Sequence, residues 1–139
     1  MAEVLEHLGI VEQGVARLIA RRIEKLKDTL PQETASDPLL GSLDEFALLD
    51  RENYMEAPDL VRPKGTLSAD DAILALAESR LSLRAALNAG DGLDLGAVTA
   101  PHVLLGPLTL YQWVLFIGQH ECRHAAQIRD IGASLGARS

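Results

Sequence analysis

The stretch WVLFIGQHECRHAAQI, residues 113–128, decides the fold class of the chain and carries its most informative side chains. At 100° per residue, one face of a helix carries, within about 40° of one line, Trp113, Ile117, His120, His124, Ile128 and the following Ile131. His120 and His124 are one helical turn apart, which lets two imidazoles bind the same metal ion. Taken alone, such a pair is more often two hydrogen-bonded core residues than a metal site. The stretch therefore predicts a core-facing helix with two candidate ligands.

The residues on either side of this stretch predict where its helix begins and ends. Thr109 can cap the first turn with its hydroxyl, and the pattern fades near Ile131 before a glycine-containing tail. A second apolar stripe lies behind the first and consists of Tyr111, Leu115, Gly118, Cys122 and Ala126. We therefore expect this helix to be covered on both sides, either by a neighbour in a bundle or by a second subunit.

Two further amphipathic helices are predicted from apolar residues spaced three and four apart. The first covers residues 3–28. The second begins at the cap Ser68, exits at residues 88–90, and places Ile73, Leu74 and Leu81 among its apolar residues.

The segments between these helices predict loops. Prolines and glycines in residues 31–67 favour a long crossover, with one short helix over residues 44–51 and some of the crossover lying against the bundle or the site as a lid. Residues 90–108 predict a second loop, and no segment shows the strict alternation of a half-buried strand. The fold class is therefore all-α, in a single domain over residues 1–139.

The composition restricts the partners that the chain can have. Its 139 residues include 20 Asp and Glu against 13 Lys and Arg, a net charge of −7, whereas a nucleic-acid binder needs a basic face. No run of about 18 apolar residues predicts a membrane span. The single cysteine cannot form an internal disulfide, and the residues after Met1 do not resemble a secretory leader. We therefore expect a cytoplasmic protein with neither a nucleic-acid nor a membrane partner.

A third ligand is needed for a metal site, and His7 is a candidate. It lies about 60° from Val4 on the first predicted helix, at the edge of the apolar stripe, so it could face the same core from a neighbouring helix. A lone histidine in such a place is more often a partly exposed packing residue. Helical geometry alone therefore permits the convergence of three histidines without requiring it.

The sequence resembles the DinB-like, or YfiT-like, superfamily of metal-binding four-helix bundles. EVLEHL at residues 3–8, with Glu12 beyond it, is similar to the second helix of that family, whose histidine is a metal ligand. HVLLGPLTLYQWV at residues 102–114, followed by HECRHAAQI at residues 120–128, is similar to the approach to the last helix and to its body. In that family the H-x3-H step completes a three-histidine site.

The resemblance implies an up-down helical bundle with a long crossover and the metal ligands His7, His120 and His124. Zinc and nickel are the divalent ions most expected there, and iron and manganese also suit such ligands. His102 matches a position ahead of the last helix that is not a ligand. Cys122 lies about 160° around the helix from His124 and is excluded from the same ion.

The chain also departs from the family, whose members begin with an additional helix. Here Met1 stands almost at the start of the segment that resembles the second helix. Either the sequence omits that helix, the 44–51 segment replaces it, or a partner subunit fills the gap. An open apolar groove favours association, so we expect a homodimer whose bundle is completed by the partner.

Three imidazoles leave a coordination position open, as in a catalytic metal site. The resemblance implies a metal-dependent hydrolase or a thiol-dependent S-transferase acting on a small molecule, the latter with a low-molecular-weight thiol. Glu12 and Glu121 are expected to face solvent or to orient an imidazole, so no catalytic residue is assigned. The alternative is a non-catalytic dimeric binding module with a structural or vestigial metal site.

Overall fold

The computed structural model describes residues 1–34, 41–53 and 55–137, and the described part of the chain is mostly helical. The long helices are α1 (Ala2–Leu26), α2 (Ala69–Ala89) and α3 (Leu110–Gly136), and the strands are β1 (Thr99–His102) and β2 (Gly106–Thr109). Single 3-10 turns occupy Asp44–Phe46, Asp59–Val61 and Leu95–Ala97. The three helices predicted from the sequence are therefore present, and the helical class is confirmed.

The core forms where α1 faces α2, α3 and the hairpin. Val15, Ile19 and Ile23 of α1 are buried at helical spacing, as the periodicity predicts. They pack with Leu110, Trp113 and Ile117 from the first two turns of α3. Burial of this apolar surface, which contributes about 25 cal/mol per Å², is the main force that assembles the helices.

Local capping fixes the starts of α2 and α3. The Ser68 hydroxyl accepts a hydrogen bond from the Asp71 amide, as predicted. Thr109 and Gln112 form a reciprocal capping box, in which each side chain accepts a hydrogen bond from the other residue's amide. The beginning of α3 is thus set by the residue that the sequence identified.

The absence of strands was wrongly predicted for residues 90–108. β1 and β2 form an antiparallel hairpin in which Pro101 faces Pro107. Its inward residues, Ala100 and Leu108, are each 1% exposed, and the Trp113 indole donates to the Ala100 carbonyl at 3.1 Å. Strands of four residues interrupted by proline are too short to show alternation, which is why the pattern is not visible in the sequence.

The crossover is less helical than predicted. Asp44–Phe46 is a 3-10 turn that ends at Ala47, whose φ of 47° lies in the left-handed region, so the 44–51 helix does not form. Leu48 is buried, whereas Leu49 is 57% exposed. Part of the predicted crossover, residues 35–40 and 54, lies outside the described residues.

The apolar residues predicted for α2 do not all face the core. Ile73, Leu74 and Leu81 are 52%, 63% and 68% exposed, because α2 packs chiefly on α1 through Ala72 and Leu83 on its other side.

The homodimer stays a prediction. Within the described ranges, no helix is both long enough and apolar enough to cross a lipid bilayer.

Candidate metal centre

His7 is placed at the site by the first two turns of α1. Its side chain is buried, and its Nδ1 lies 2.8 Å from the carbonyl oxygen of Val61 in the crossover. Its Nε2 lies 3.1 Å from Nε2 of His120. His7, whose orientation helical geometry alone does not determine, therefore faces the core from α1.

His120 and His124 project from one face of α3 toward the same point. Their ring centroids are 4.6 Å apart, and the His7 ring lies 5.0 Å from His120 and 5.1 Å from His124. One nitrogen from each of the three rings falls within 4.8 Å of the others. The structure thus brings together the three histidines singled out in the sequence, in an arrangement that could hold one metal ion.

Two of the three imidazole rings form hydrogen bonds through the nitrogen that points away from the cluster, and these bonds favour metal binding. The Val61 carbonyl can only accept, so Nδ1 of His7 is the protonated nitrogen and Nε2 keeps its lone pair. Nδ1 of His124 lies 2.8 Å from Oε1 of Gln127, an acceptor, which fixes the same tautomer. Outer partners of this kind orient imidazole ligands and raise their basicity.

Burial keeps the histidines of α3 neutral. It lowers the pKa of His120 to about 3, and the neighbouring His124 and His7 add to the effect. Burial also lowers the pKa of His124, against a hydrogen bond to Gln127 that raises it. A neutral imidazole keeps a lone pair on one of its nitrogens, so three such rings offer a donor set that fits a divalent cation such as Zn²⁺ or Ni²⁺.

The cluster lies in the wall of a largely apolar cavity of about 360 Å³. Crossover residues 55–58, 60 and 61 and the hairpin turn at 103–105 line it opposite α1 and α3. Leu60 and Val103 are 91% and 80% exposed, so the lining continues outward as an apolar surface. The expectation that part of the crossover lies against the site is therefore confirmed.

His102 also lines this cavity, at the end of β1. Its ring lies 4.6 Å from Phe116 and 5.0 Å from Trp113, and Phe116 in turn lies 5.3 Å from His120. His102 is not in the three-histidine cluster, in agreement with the sequence prediction. Its place in the cavity was missed, because it depends on the hairpin.

The prediction that Glu12 faces solvent or orients an imidazole is wrong. Glu12 is 1% exposed, and its carboxylate accepts hydrogen bonds from Arg80 of α2. Arg80 also donates to Glu121, the neighbour of His120 on α3. The three side chains therefore link all three long helices beside the cluster, and sequence reasoning did not identify Arg80.

Arg123 fixes the other side of the cavity. Its guanidinium donates to the carbonyl oxygens of Leu48, Asp50 and Asn53 at 2.6 to 3.1 Å. The crossover is thereby held against α3 close to His124. Cys122 lies outside the cluster, as predicted, and it is exposed, although the stripe that contains it was expected to be covered.

A family comparison agrees with these features. The DinB superfamily model matches residues 1–128. The chain belongs to the DinB superfamily. A relative in Bacillus subtilis (strain 168), the uncharacterized protein YuaE, is 32% identical over 130 residues, which are 93% of this chain and 74% of YuaE. No solved structure matches the chain significantly.

The match includes all three histidines, so the cluster lies inside the part of the chain that is typical of the DinB superfamily. YuaE is itself uncharacterized, so this relative names no substrate or reaction. The chemistry of this DinB protein therefore has to be argued from its own cavity.

Glu6, next to His7, provides a test of how the crossover is held. Its buried carboxylate accepts hydrogen bonds from the amides of Lys64 and Gly65, each at 3.0 Å. We expect Glu6→Ala to lower the free energy of unfolding by about 2 kcal/mol, because hydrogen bonds to a charged group contribute more than neutral ones. Urea denaturation measures this change, and hydrogen exchange of both amides should become faster.

Glu24→Ala is the matched control, since Glu24 forms its ion pair with Lys27 on the exposed side of α1. Its cost should be about 0.5 kcal/mol or less. Unchanged amide exchange in Glu6→Ala would contradict the assignment.

Proposed function

We propose that this protein is a metal-dependent S-transferase that joins a small thiol to a largely apolar acceptor molecule. The observation that carries the proposal is the convergence of His7, His120 and His124 in the wall of an apolar cavity. In this proposal the three imidazoles are the protein ligands of one divalent ion.

The ion would supply Lewis-acid chemistry, since a divalent cation lowers the pKa of a thiol or a water that takes a free coordination position. The residues of the chain do the rest. Val61 and Gln127 orient two of the imidazoles, and the apolar lining excludes water and holds the acceptor.

Thiol transfer fits the cavity better than hydrolysis because of what the carboxylates do. Hydrolysis of an ester or amide needs an acid that protonates the leaving group, even when the ion has already lowered the pKa of the attacking water. Among the described residues that line the cavity, Glu56 is the only carboxylate, and it pairs with Arg62. Glu12 and Glu121 are held by Arg80. A thiolate that displaces a stable anion, such as a halide, needs no such acid.

The proposed reaction is balanced without a further reactant. The electron pair of the sulfur forms a bond to a carbon of the acceptor. The pair of the bond between that carbon and its leaving group departs with the leaving group, and the thiol proton passes to bulk water. An aryl halide thus gives a thioether, a halide ion and a proton.

The test measures turnover of 1-chloro-2,4-dinitrobenzene with cysteine, glutathione or coenzyme A by protein loaded with Zn²⁺ or Ni²⁺. We expect thiol-dependent turnover that falls by at least about 100-fold in His124→Ala, because even partners outside the coordination shell contribute 10- to 100-fold. p-Nitrophenyl acetate without thiol tests the hydrolase alternative.

Cys122→Ser is the control for the protein's own thiol, which is exposed and outside the cluster, and it should keep full activity. Equal turnover by the wild-type protein and His124→Ala would overturn the proposal. Thiol-independent ester hydrolysis that requires the metal would replace it with the hydrolase.

A further inference from the structure

The role of His102 depends on which of its two ring nitrogens carries the proton. Its Nδ1 lies 3.1 and 3.2 Å from the backbone amides of Leu104 and Leu105 in the hairpin turn. Amides can only donate, so Nδ1 is an acceptor and the neutral ring carries its proton on Nε2. The turn of the hairpin therefore fixes the tautomer of this histidine.

The Nε2–H group can donate to a ligand. None of the described residues forms a hydrogen bond with it. Among those residues no buried side-chain polar atom lacks a partner, so this unpartnered group is accessible, and its ring lines the cavity. Trp113 and Phe116 pack against the ring and hold its position. A neutral donor is thus held in a largely apolar wall.

The distance to the cluster limits the ligand. The ring of Phe116 contacts both histidines, with its centroid 4.6 Å from that of His102 and 5.3 Å from that of His120, so these two imidazole centroids are at most about 10 Å apart. A molecule in the cavity that spans this distance can reach both the three-histidine site and Nε2–H. Small-molecule sites commonly combine an apolar lining with a few such fixed polar groups.

We propose that His102 is a substrate-binding residue that donates from Nε2–H to a neutral oxygen acceptor, such as a carbonyl or ether oxygen, on an apolar substrate. The proposal rests on the proposed function, because the substrate is positioned relative to the metal site. It names the substrate class as neutral, largely apolar molecules with such an oxygen. Apolar molecules without it lose one hydrogen bond.

The test uses two thiols of similar shape as probes of the Co²⁺-loaded protein. Their sulfur can bind the ion, and 4-acetylbenzenethiol carries a carbonyl at the position where 4-isopropylbenzenethiol carries a methyl group. Titration followed by the cobalt absorption spectrum gives both dissociation constants. The ratio of the two constants is then compared among variants, which cancels the intrinsic difference between the thiols.

We expect His102→Phe to reduce the preference for the acetyl probe by about three- to tenfold, the value of one hydrogen bond, with little change for the isopropyl probe. His102→Gln keeps a donor and should recover much of the preference. Imidazole nitrogen NMR of the wild-type protein should show the Nε2–H tautomer of His102.

The outcomes separate the two proposals. An unchanged ratio in His102→Phe, in protein that still binds cobalt and both thiols, would overturn the role of His102 alone. Absence of a cobalt spectrum in the wild-type protein would overturn the metal site and this inference with it. An Nδ1–H tautomer would contradict the donor assignment independently of any ligand.

Discussion

Zn²⁺ or Ni²⁺ is expected to raise the unfolding temperature of the metal-free protein by about 15 °C when the free ion is held a thousandfold above its Kd. A ligand that binds only the folded state at that concentration adds about 4 kcal/mol to the free energy of unfolding. For a chain of this size, each kcal/mol raises the unfolding temperature by about 3 to 5 °C. Differential scanning calorimetry with and without a chelator measures the shift.

The effect should be large because the ligands come from elements distant in sequence. His7 is on α1 and His120 and His124 are on α3, so an ion shared by them would join the two ends of the chain. His124→Ala should lose most of the shift, because it removes one of three ligands.

His102→Phe is the matched control for metal binding, since His102 lines the same cavity outside the cluster. It should retain the full shift. An unfolding temperature that does not respond to either ion, or an equal response in His124→Ala, would show that the three histidines do not form the site.

The sequence predicted what depends on local periodicity. Thr109 and Ser68 begin their helices as their hydroxyls allow, and His120 and His124 share a face because they are one turn apart. The convergence of His7 with them depends on how α1 crosses α3. Spacing within one helix holds no information on that crossing, so the third ligand came from a family resemblance rather than from geometry.

The features that were missed do not appear as a pattern along one segment of the sequence. Arg80 and Glu12 are 68 residues apart, and no pattern in the sequence around either residue predicts that they pair. The hairpin escaped detection because Pro101 and Pro107 oppose each other in strands of only four residues. The role of His102 could be seen only after the hairpin placed its ring in the cavity.

The second large effect is expected at Arg80, which links Glu12 of α1 to Glu121 of α3. Arg80→Met should lower the free energy of unfolding by about 2 to 3 kcal/mol, because it leaves the carboxylate of Glu12, 1% exposed, without its charged partner. We expect a smaller loss of stability than for a fully buried ion pair, because the Arg80 side chain is 45% exposed. Urea denaturation at pH 8 measures it.

The pH dependence of this cost has a definite sign. Burial raises the pKa of Glu12 above its ordinary value of 4.5, and the hydrogen bond from Arg80 opposes that rise. Without Arg80 the pKa in the folded state moves further up, so the folded variant retains a proton that the unfolded chain has lost. Stability then falls as the pH rises from the unfolded pKa to the folded one. The deficit of Arg80→Met relative to the wild-type protein should therefore be smaller at pH 5 than at pH 8.

A double variant separates an uncompensated charge from a simple loss of packing. In Arg80→Met with Glu12→Gln, the group left behind is a neutral amide, so the penalty for a buried charge disappears while the missing arginine stem is the same. The double variant should be more stable at pH 8 than Arg80→Met alone and should lack its pH dependence between pH 5 and pH 8. If both variants lose the same stability at both pH values, the loss comes from packing around α2. In that case the charges of Glu12 and Arg80 would not be what links the helices.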